Sequence, residues 1–352
     1  MKTNKTVKEK VRKTRKIRKT TILFIVLDIL AAGCFLLVYG PFESFRNTII
    51  TTAMSTKTHQ YIAYTFWSDD VIKNVLTATS YIPISDKVVL DDIVIDTSPK
   101  DSYDNEYDEV ILTRAPGNED YKYIKTKVGK YDAHLVAIYD PSKVELIHSK
   151  SFNTGTGQER VSSMCKRLGG VVCINGGMFV DHGWGSDIPM GYLIKDSKII
   201  WSDHSGKANL IGLTKDNKLL LVNATGKEAI DMGVRDALEF GPFLIVNGNP
   251  LKFNNTAVGG YSRAARVSIA QRRDGVILFL VTEGTHAAGP TMLELIETLQ
   301  KYGAYNAANL DGGTSSQLTI NGKLMNNPKN IYGQTVTGGR RVVSGFGLIL
   351  NK

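Results

Sequence analysis

Cysteine is scarce, with three residues in a chain of 352. Cys34 lies inside a long apolar run, which leaves Cys165 and Cys173, eight positions apart, as the one pair elsewhere. No Cys or His spacing matches a structural zinc site. A domain of this size builds its core without a staple, so Cys165 and Cys173 read as two buried thiols, although an oxidising compartment would let them pair. Proline is also sparse, 10 residues against 33 glycines, which favours a sheet-rich fold with tight turns over Pro-rich spacers. No charge of one sign dominates the body of the chain. The formal +9 arises in residues 1–20, which hold ten Lys or Arg and one acid, Glu9; the remainder carries equal numbers of each sign. A nucleic-acid binder would place its basic excess on the folded domain, so that class is set aside. A cofactor motif and a nucleophile elbow are both missing.

What is present begins with the run 21–40, TILFIVLDILAAGCFLLVYG. Twenty helical residues span about 30 Å, the thickness of a bilayer core. Asp28 costs roughly 2.5–3.5 kcal/mol at that depth. Twelve Ile, Leu, Val or Phe side chains return about −5 kcal/mol, so the span inserts. The basic tail orients it with the N-terminus in the cytoplasm and the rest extracellular. The run is too long for a cleaved signal. Ala31-Ala32-Gly33-Cys34 resembles a lipobox, but Phe35-Leu36-Leu37-Val38 continues the apolar run beyond the cysteine.

The expected organisation is a basic cytoplasmic tail (1–20), a transmembrane helix (21–40), a juxtamembrane stalk and linker (41–105) and one catalytic-type domain (106–352). In 41–76, apolar residues recur at loosely helical spacing, as a stalk or as a packing arm of the main domain. The stretch 91–120 is acidic and polar, as a linker would be. Beyond it, 131–149 reads as a hairpin around Asp140-Pro141-Ser142-Lys143, and 192–201 and 210–222 as two more. Helices are expected at 158–168 and 291–302, where Met292, Leu295, Ile296 and Leu299 share one face. Short strands are expected at 171–174, 243–246, 267–270, 276–281, 307–310 and 342–350. The fold class is α+β: a mostly antiparallel sheet system with a few packed helices, preceded by one transmembrane helix.

Two segments repeat one device. Asn175-Gly176-Gly177-Met178-Phe179 and Asn309-Leu310-Asp311-Gly312-Gly313-Thr314-Ser315-Ser316 each follow a buried strand and place two glycines after a polar residue. Paired glycines let backbone approach a ligand, and their N–H groups can cradle an anion. A third segment, 262–272 (SRAARVSIAQR), leads through a strand to Glu283-Gly284-Thr285-His286. These pieces, with GPTMLELIETLQKYGAYNAANLDGGTSSQL and GGRRVVSGFGLIL, resemble the phosphodiester glycosidase family over residues 121–352. Asn175, Gly176, Gly177 and Phe179 match its Asn-Gly-Gly-x-Phe, and Gly241-Pro242 its Gly-Pro. Arg266 is kept from its Pro-Arg-Thr-Ala-Ile-Gly, while the proline and terminal glycine are replaced. Glu283-Gly284 stands for its Asp-Gly. Leu310 to Ser316 match its Leu-Asp-Gly-Gly-Gly-Ser-Ser, with Thr314 for the third glycine. The late arginine falls on Arg340 or Arg341, of which Arg341 is taken.

The resemblance implies hydrolysis or transfer at a sugar-1-phosphate diester, here in a surface polysaccharide or related glycan. Cleavage passes through an oxocarbenium-like state beside a departing phosphate, which calls for carboxylates on one side and cations and N–H donors on the other. Asp311 is assigned as nucleophile, base or electrostatic stabiliser, and Glu283 as the second carboxylate. Arg266 holds the phosphate with its planar fork, or forms a structural pair with one of the acids. Asn175, Gly176, Gly177, Phe179, Gly312, Gly313, Ser315, Ser316, His286 and Arg341 are assigned to substrate binding. His182, Trp184 and Trp201 are further candidates to line a sugar site, whereas His59, His134, His148 and His204 read as surface or core. No cofactor is expected, and no metal ligands are named; a divalent ion beside Asp311 stays open, because phosphate and carboxylate both attract one. The partners expected are the glycan substrate and the membrane. Two alternatives from other classes are a non-catalytic glycan- or phosphate-binding module and a hydrolase using Ser315 or Ser316.

Overall fold

The computed structural model describes residues 3–54, 60–84, 86–181, 187–254, 263–285 and 288–350. The chain divides into two compact units, Met1–Ala78 and Thr79–Lys352. In the first, the helix Thr3–Tyr39 contains the segment Lys19–Tyr39, long and apolar enough to cross a membrane. Helices Glu43–Met54, Gln60–Phe66 and Asp69–Thr79 follow. They close on a small core of Ile50, Ala53, Ala63, Trp67, Ile72 and Val75, and the Trp67 indole donates to the Val38 carbonyl at 3.1 Å.

Among the described residues, the second unit holds three larger antiparallel sheets and two two-stranded ribbons. One has seven strands in the order Asn249–Pro250, Phe243–Val246, Ala304–Leu310, Val267–Arg272, Ile277–Thr282, Tyr131–Ile138 and Tyr121–Val128. A five-stranded sheet runs Lys323–Leu324, Leu318–Ile320, Gly170–Asn175, Ser344–Ile349, Val144–His148. The other runs Leu219–Ala224, Ala208–Thr214, Val234–Glu239, Leu193–Lys195, Lys198–Trp201. All three contribute alternate side chains to a common core, among them Val136, Ile269, Phe279, Ile174, Phe346, Leu213 and Leu238. The opposite face of the long sheet is covered by the helix Met292–Lys301, which buries Leu295, Ile296 and Leu299 there. Each contributes roughly 1.5–3 kcal/mol, and a Thr291–Glu294 capping box fixes where the helix starts.

Three expectations change. The 131–149 segment is not a hairpin. Its two strands lie in different sheets and face each other across the common core through Val136, Ile138, Val144 and Leu146. The turn is a short 3₁₀ segment capped by Asp140, with Pro141 buried, so the chain changes sheet there. The 91–120 segment is no spacer, and the compact unit starts at Thr79 rather than 106. Val94 N–H donates to the Arg273 carbonyl at 2.8 Å and Asp96 N–H to that of Asp274 at 3.0 Å. Asp108 is buried and receives the Arg272 guanidinium at 2.7 Å across 164 residues. The acidic look of the sequence hides a charge whose partner is distant. Last, Cys165 and Cys173 form a disulfide, not two thiols. The helix Val161–Arg167 packs against the strand Gly170–Asn175 and brings their Cα atoms to 5.9 Å.

Candidate active site

Asn175 closes the strand Gly170–Asn175, and its amide ties the two glycine segments together. Its Nδ2 donates to the Asp311 carbonyl at 2.6 Å, and its Oδ1 accepts the Gln317 N–H at 2.9 Å. The Asp311 N–H in turn donates to the Gly176 carbonyl at 2.8 Å. These glycines are required by crowding. A Cβ on Gly176 would sit 2.4 Å from Leu238 Cδ2 and 2.9 Å from Gly345 Cα, and one on Gly312 would sit 2.5 Å from the Ala265 carbonyl oxygen. The joint therefore locks the end of Ala304–Leu310 against the end of a strand in another sheet.

Register places the remaining charges. Val267 pairs with Leu310 on one side and Val281 on the other. Arg266 is thus one residue beyond both, between Asp311 and Thr282. Its N–H donates to Thr282 Oγ1 at 2.8 Å, and Thr282 N–H donates to its carbonyl at 2.9 Å. Strands lie about 4.8 Å apart, so the backbones of Asp311, Arg266 and Glu283 fall within roughly 10 Å along one sheet edge. Burial pulls the Arg266 guanidinium down to about 10, leaving it cationic at neutral pH.

Asp311 is half-buried, and burial pushes its carboxyl up to about 6. The Ser315 hydroxyl, the Arg340 charge and the Gly312 N–H hold it back from rising further, while Asp181 pushes it up. Arg340 is itself fixed, donating to Asp181 Oδ1 at 2.9 Å and lying 4.8 Å over the Phe179 ring. Among the described residues, no group of three or more His, Cys, Asp or Glu could hold a metal ion. Arg340 supplies positive charge at Asp311. Glu283 is held differently: His134 Nε2 lies 3.0 Å from Oε1, and Asn327 N–H donates to both oxygens at 3.0 and 3.2 Å.

A phosphodiester glycosidase family model matches residues 169–349, more than half of the chain. The chain belongs to the phosphodiester glycosidase family. It is 30% identical over 190 residues to the SPbeta prophage-derived uncharacterized protein YomE of Bacillus subtilis, covering 51% of this chain and 28% of that protein. It is 22% identical over 239 residues to mouse N-acetylglucosamine-1-phosphodiester alpha-N-acetylglucosaminidase, covering 61% of this chain and 46% of the mouse protein. The chain thus spans less than half the length of either relative. The catalytic domain of the zebrafish N-acetylglucosamine-1-phosphodiester alpha-N-acetylglucosaminidase, auto-inhibited by its pro-peptide, shares the fold. The TM-score is 0.54 at 17% identity, covering 66% of this chain and 83% of that one.

Within this phosphodiester glycosidase domain, several expected residues have other tasks. Asn175 is 1% exposed and both ends of its amide are used, so it braces Asp311 rather than meeting a sugar. Ser315 is 2% exposed and bonds Asp311, and Ser316 is fully buried. Neither is placed to act as an exposed serine nucleophile. Phe179 is 5% exposed and serves as the platform under Arg340. Arg341 is exposed and pairs with Arg160 on a separate two-stranded ribbon, so the late arginine at Asp311 is Arg340. Backbone turned at Gly177 and Gly313 carries further joints: Gly177 N–H donates to Ser344 Oγ at 3.1 Å and Gly313 N–H to the Ala265 carbonyl at 2.8 Å. Gly241-Pro242 is a cis peptide, and Asn309 Nδ2 donates to its Gly241 carbonyl at 3.0 Å. His286, His182 and Trp184 lie outside the described residues. Trp201 is half-buried, its indole donating to the Pro189 carbonyl at 2.9 Å. Sequence reasoning missed Asp181 and set His134 aside; a lone histidine in the apolar strand YDAHLVAI was the available signal.

Proposed function

We propose that this chain hydrolyses a sugar-1-phosphate diester in a surface polysaccharide or related glycan, from a domain held outside the cell by its N-terminal helix. The observation that carries the reading is the Asp311 carboxyl, pushed up to about 6 by burial at the joint of two Gly-Gly strand ends, with Arg340 beside it. A carboxylate in that range is mostly ionised at neutral pH yet basic enough to accept a proton, as a general base requires. In this scheme the C1–O bond breaks, its electron pair leaves with the phosphate, and water adds to C1 as its proton passes to Asp311. Arg266 and Arg340 offset the charge left on the phosphate. Glu283 supports the developing positive charge at the sugar ring.

The membrane placement rests on the apolar segment Lys19–Tyr39 and the ten basic residues before position 20. The Cys165–Cys173 disulfide supports an oxidising location. The mouse relative's name supplies the first compound to try, an N-acetylglucosamine-1-phosphodiester. Purified full-length protein in detergent should release free sugar from it or from another sugar-1-phosphodiester, and Asp311→Asn should not. Release by Asp311→Asn at the wild-type rate would remove Asp311 from the mechanism. Glycan binding by wild type without release from any such diester would favour a binding module.

A further inference from the structure

His134 is 7% exposed, on the strand Tyr131–Ile138 between Ala133 and Leu135. An imidazole buried among aliphatic strands needs partners for both nitrogens. Here Nδ1 lies 2.8 Å from the Tyr123 hydroxyl and Nε2 lies 3.0 Å from Glu283 Oε1. The Tyr123 and His134 rings are stacked, with centroids 6.0 Å apart. Burial, and then the charge of Glu283, raise the Tyr123 phenol above its ordinary value. The phenol therefore keeps its proton and can donate it to Nδ1. A neutral imidazole with Nδ1 as acceptor carries its own proton on Nε2, which points at Glu283.

We propose that His134, oriented by Tyr123, is a positioning residue that holds the Glu283 carboxylate in a fixed pose. This rests on the reading of Glu283 as the second carboxylate of the site. A structural acid is usually met by Lys or Arg. Glu283 is met instead by an imidazole N–H and by the Asn327 backbone N–H. Its own N–H is pinned to the Asp132 carbonyl at 2.8 Å. The next residue, Gly284, has φ +151, and a Cβ there would lie 2.5 Å from the Ala288 carbonyl oxygen. Among the described residues, Oε2 accepts only the 3.2 Å bond from Asn327, so a lone pair remains for a reacting group. The clamp also joins the Asp311 side of the site. Asn326, next to Asn327, accepts the Leu318 N–H at 2.9 Å and donates to the Ser316 carbonyl at 2.8 Å, beside the Ser315 that bonds Asp311. The logic is that of a catalytic histidine held by an acid, with the two roles exchanged.

Two measurements test the relay on the full-length protein. In sugar release, Tyr123→Phe should lower kcat several-fold and His134→Gln about tenfold or more, with KM changed less than about twofold. In a Glu283→Gln background, His134→Gln should add almost nothing, because both act through one group. Unchanged kcat in folded Tyr123→Phe and His134→Gln would overturn the proposal. So would losses that simply add to that of Glu283→Gln. Independently of activity, ¹⁵N NMR of His134 should show a protonated Nε2 that faces Glu283 and a hydrogen-bonded Nδ1. Tyr123→Phe should release Nδ1, and Glu283→Gln should shift Nε2. An unprotonated Nε2, or an Nε2 signal indifferent to Glu283→Gln, would refute it. A wild type that releases no sugar sinks the functional reading alone, and the tautomer then still decides the relay.

Discussion

Asp311 and Glu283 sit on one edge of the long sheet, two strands apart, and the fold treats their carboxylates in opposite ways. Asp311 is half-buried and under-solvated; one hydroxyl, one backbone N–H and one nearby guanidinium do not offset the burial, and its carboxyl rises to about 6. Glu283 is more fully bonded, by an imidazole and a backbone N–H. In the proposed reaction the first arrangement is the base, its proton affinity raised by desolvation. The second fixes the orientation of a carboxylate through an imidazole at 3.0 Å and a backbone N–H. Two acids on one scaffold thereby sit in different environments, which the proposed reaction uses for separate tasks.

Replacing each acid by its amide breaks the comparison most severely. Asp311→Asn should lower kcat for sugar release by on the order of a thousandfold, checked in steady-state kinetics. It should leave the thermal midpoint unchanged or raise it at pH 7, because it removes a poorly compensated charge. Glu283→Gln should instead destabilise the fold by about 1–3 kcal/mol in urea unfolding, since with its oxygen kept at Oε1 its NH2 group faces the Asn327 N–H in place of Oε2. Equal stability changes in the two variants would erase the distinction between them.

Asn175→Ala probes the joint under Asp311. It leaves the Asp311 carbonyl and the buried Gln317 N–H without their present partner, a loss of about 1–3 kcal/mol by the same unfolding measurement. The effect of Arg340→Gln is smaller and is read in pH. Arg340 lowers the Asp311 pKa, so its removal should move the acid limb of kcat/KM upward from near 6. The sign in stability follows from linkage. A raised carboxyl favours the folded state while protonated, and that contribution fades as pH rises from about 3.8 through about 6. Wild type should therefore lose stability across that window relative to Asp311→Asn.

Much of the fold was legible because turns and strand ends announce themselves locally. Asp216-Asn217 turns the hairpin Ala208–Thr214 to Leu219–Ala224, with Asn217 at φ +61. Thr291 and Glu294 mark the start of the last helix. The two Gly-Gly segments were visible as strand ends, and the family motifs placed Asp311 among them. Sheet membership was not legible. The residues around Asp140 look like a hairpin turn, and only the core packing of Val136 against another sheet's Leu146 decides otherwise. Pairs such as Asp108 with Arg272, or His134 with Glu283, depend on register between segments 164 and 149 residues apart. Asn175 and Ser315 were legible as site residues but not as braces, because side-chain direction at a strand end follows the neighbouring sheet.

The account stands most directly on the protonation of one side chain. A ¹³C-carboxyl NMR titration, with Asp311→Asn to assign the signal, should give Asp311 a midpoint near 6. A midpoint in the ordinary aspartate range, about 4, would contradict the claim that burial tunes this carboxylate as the base of the site.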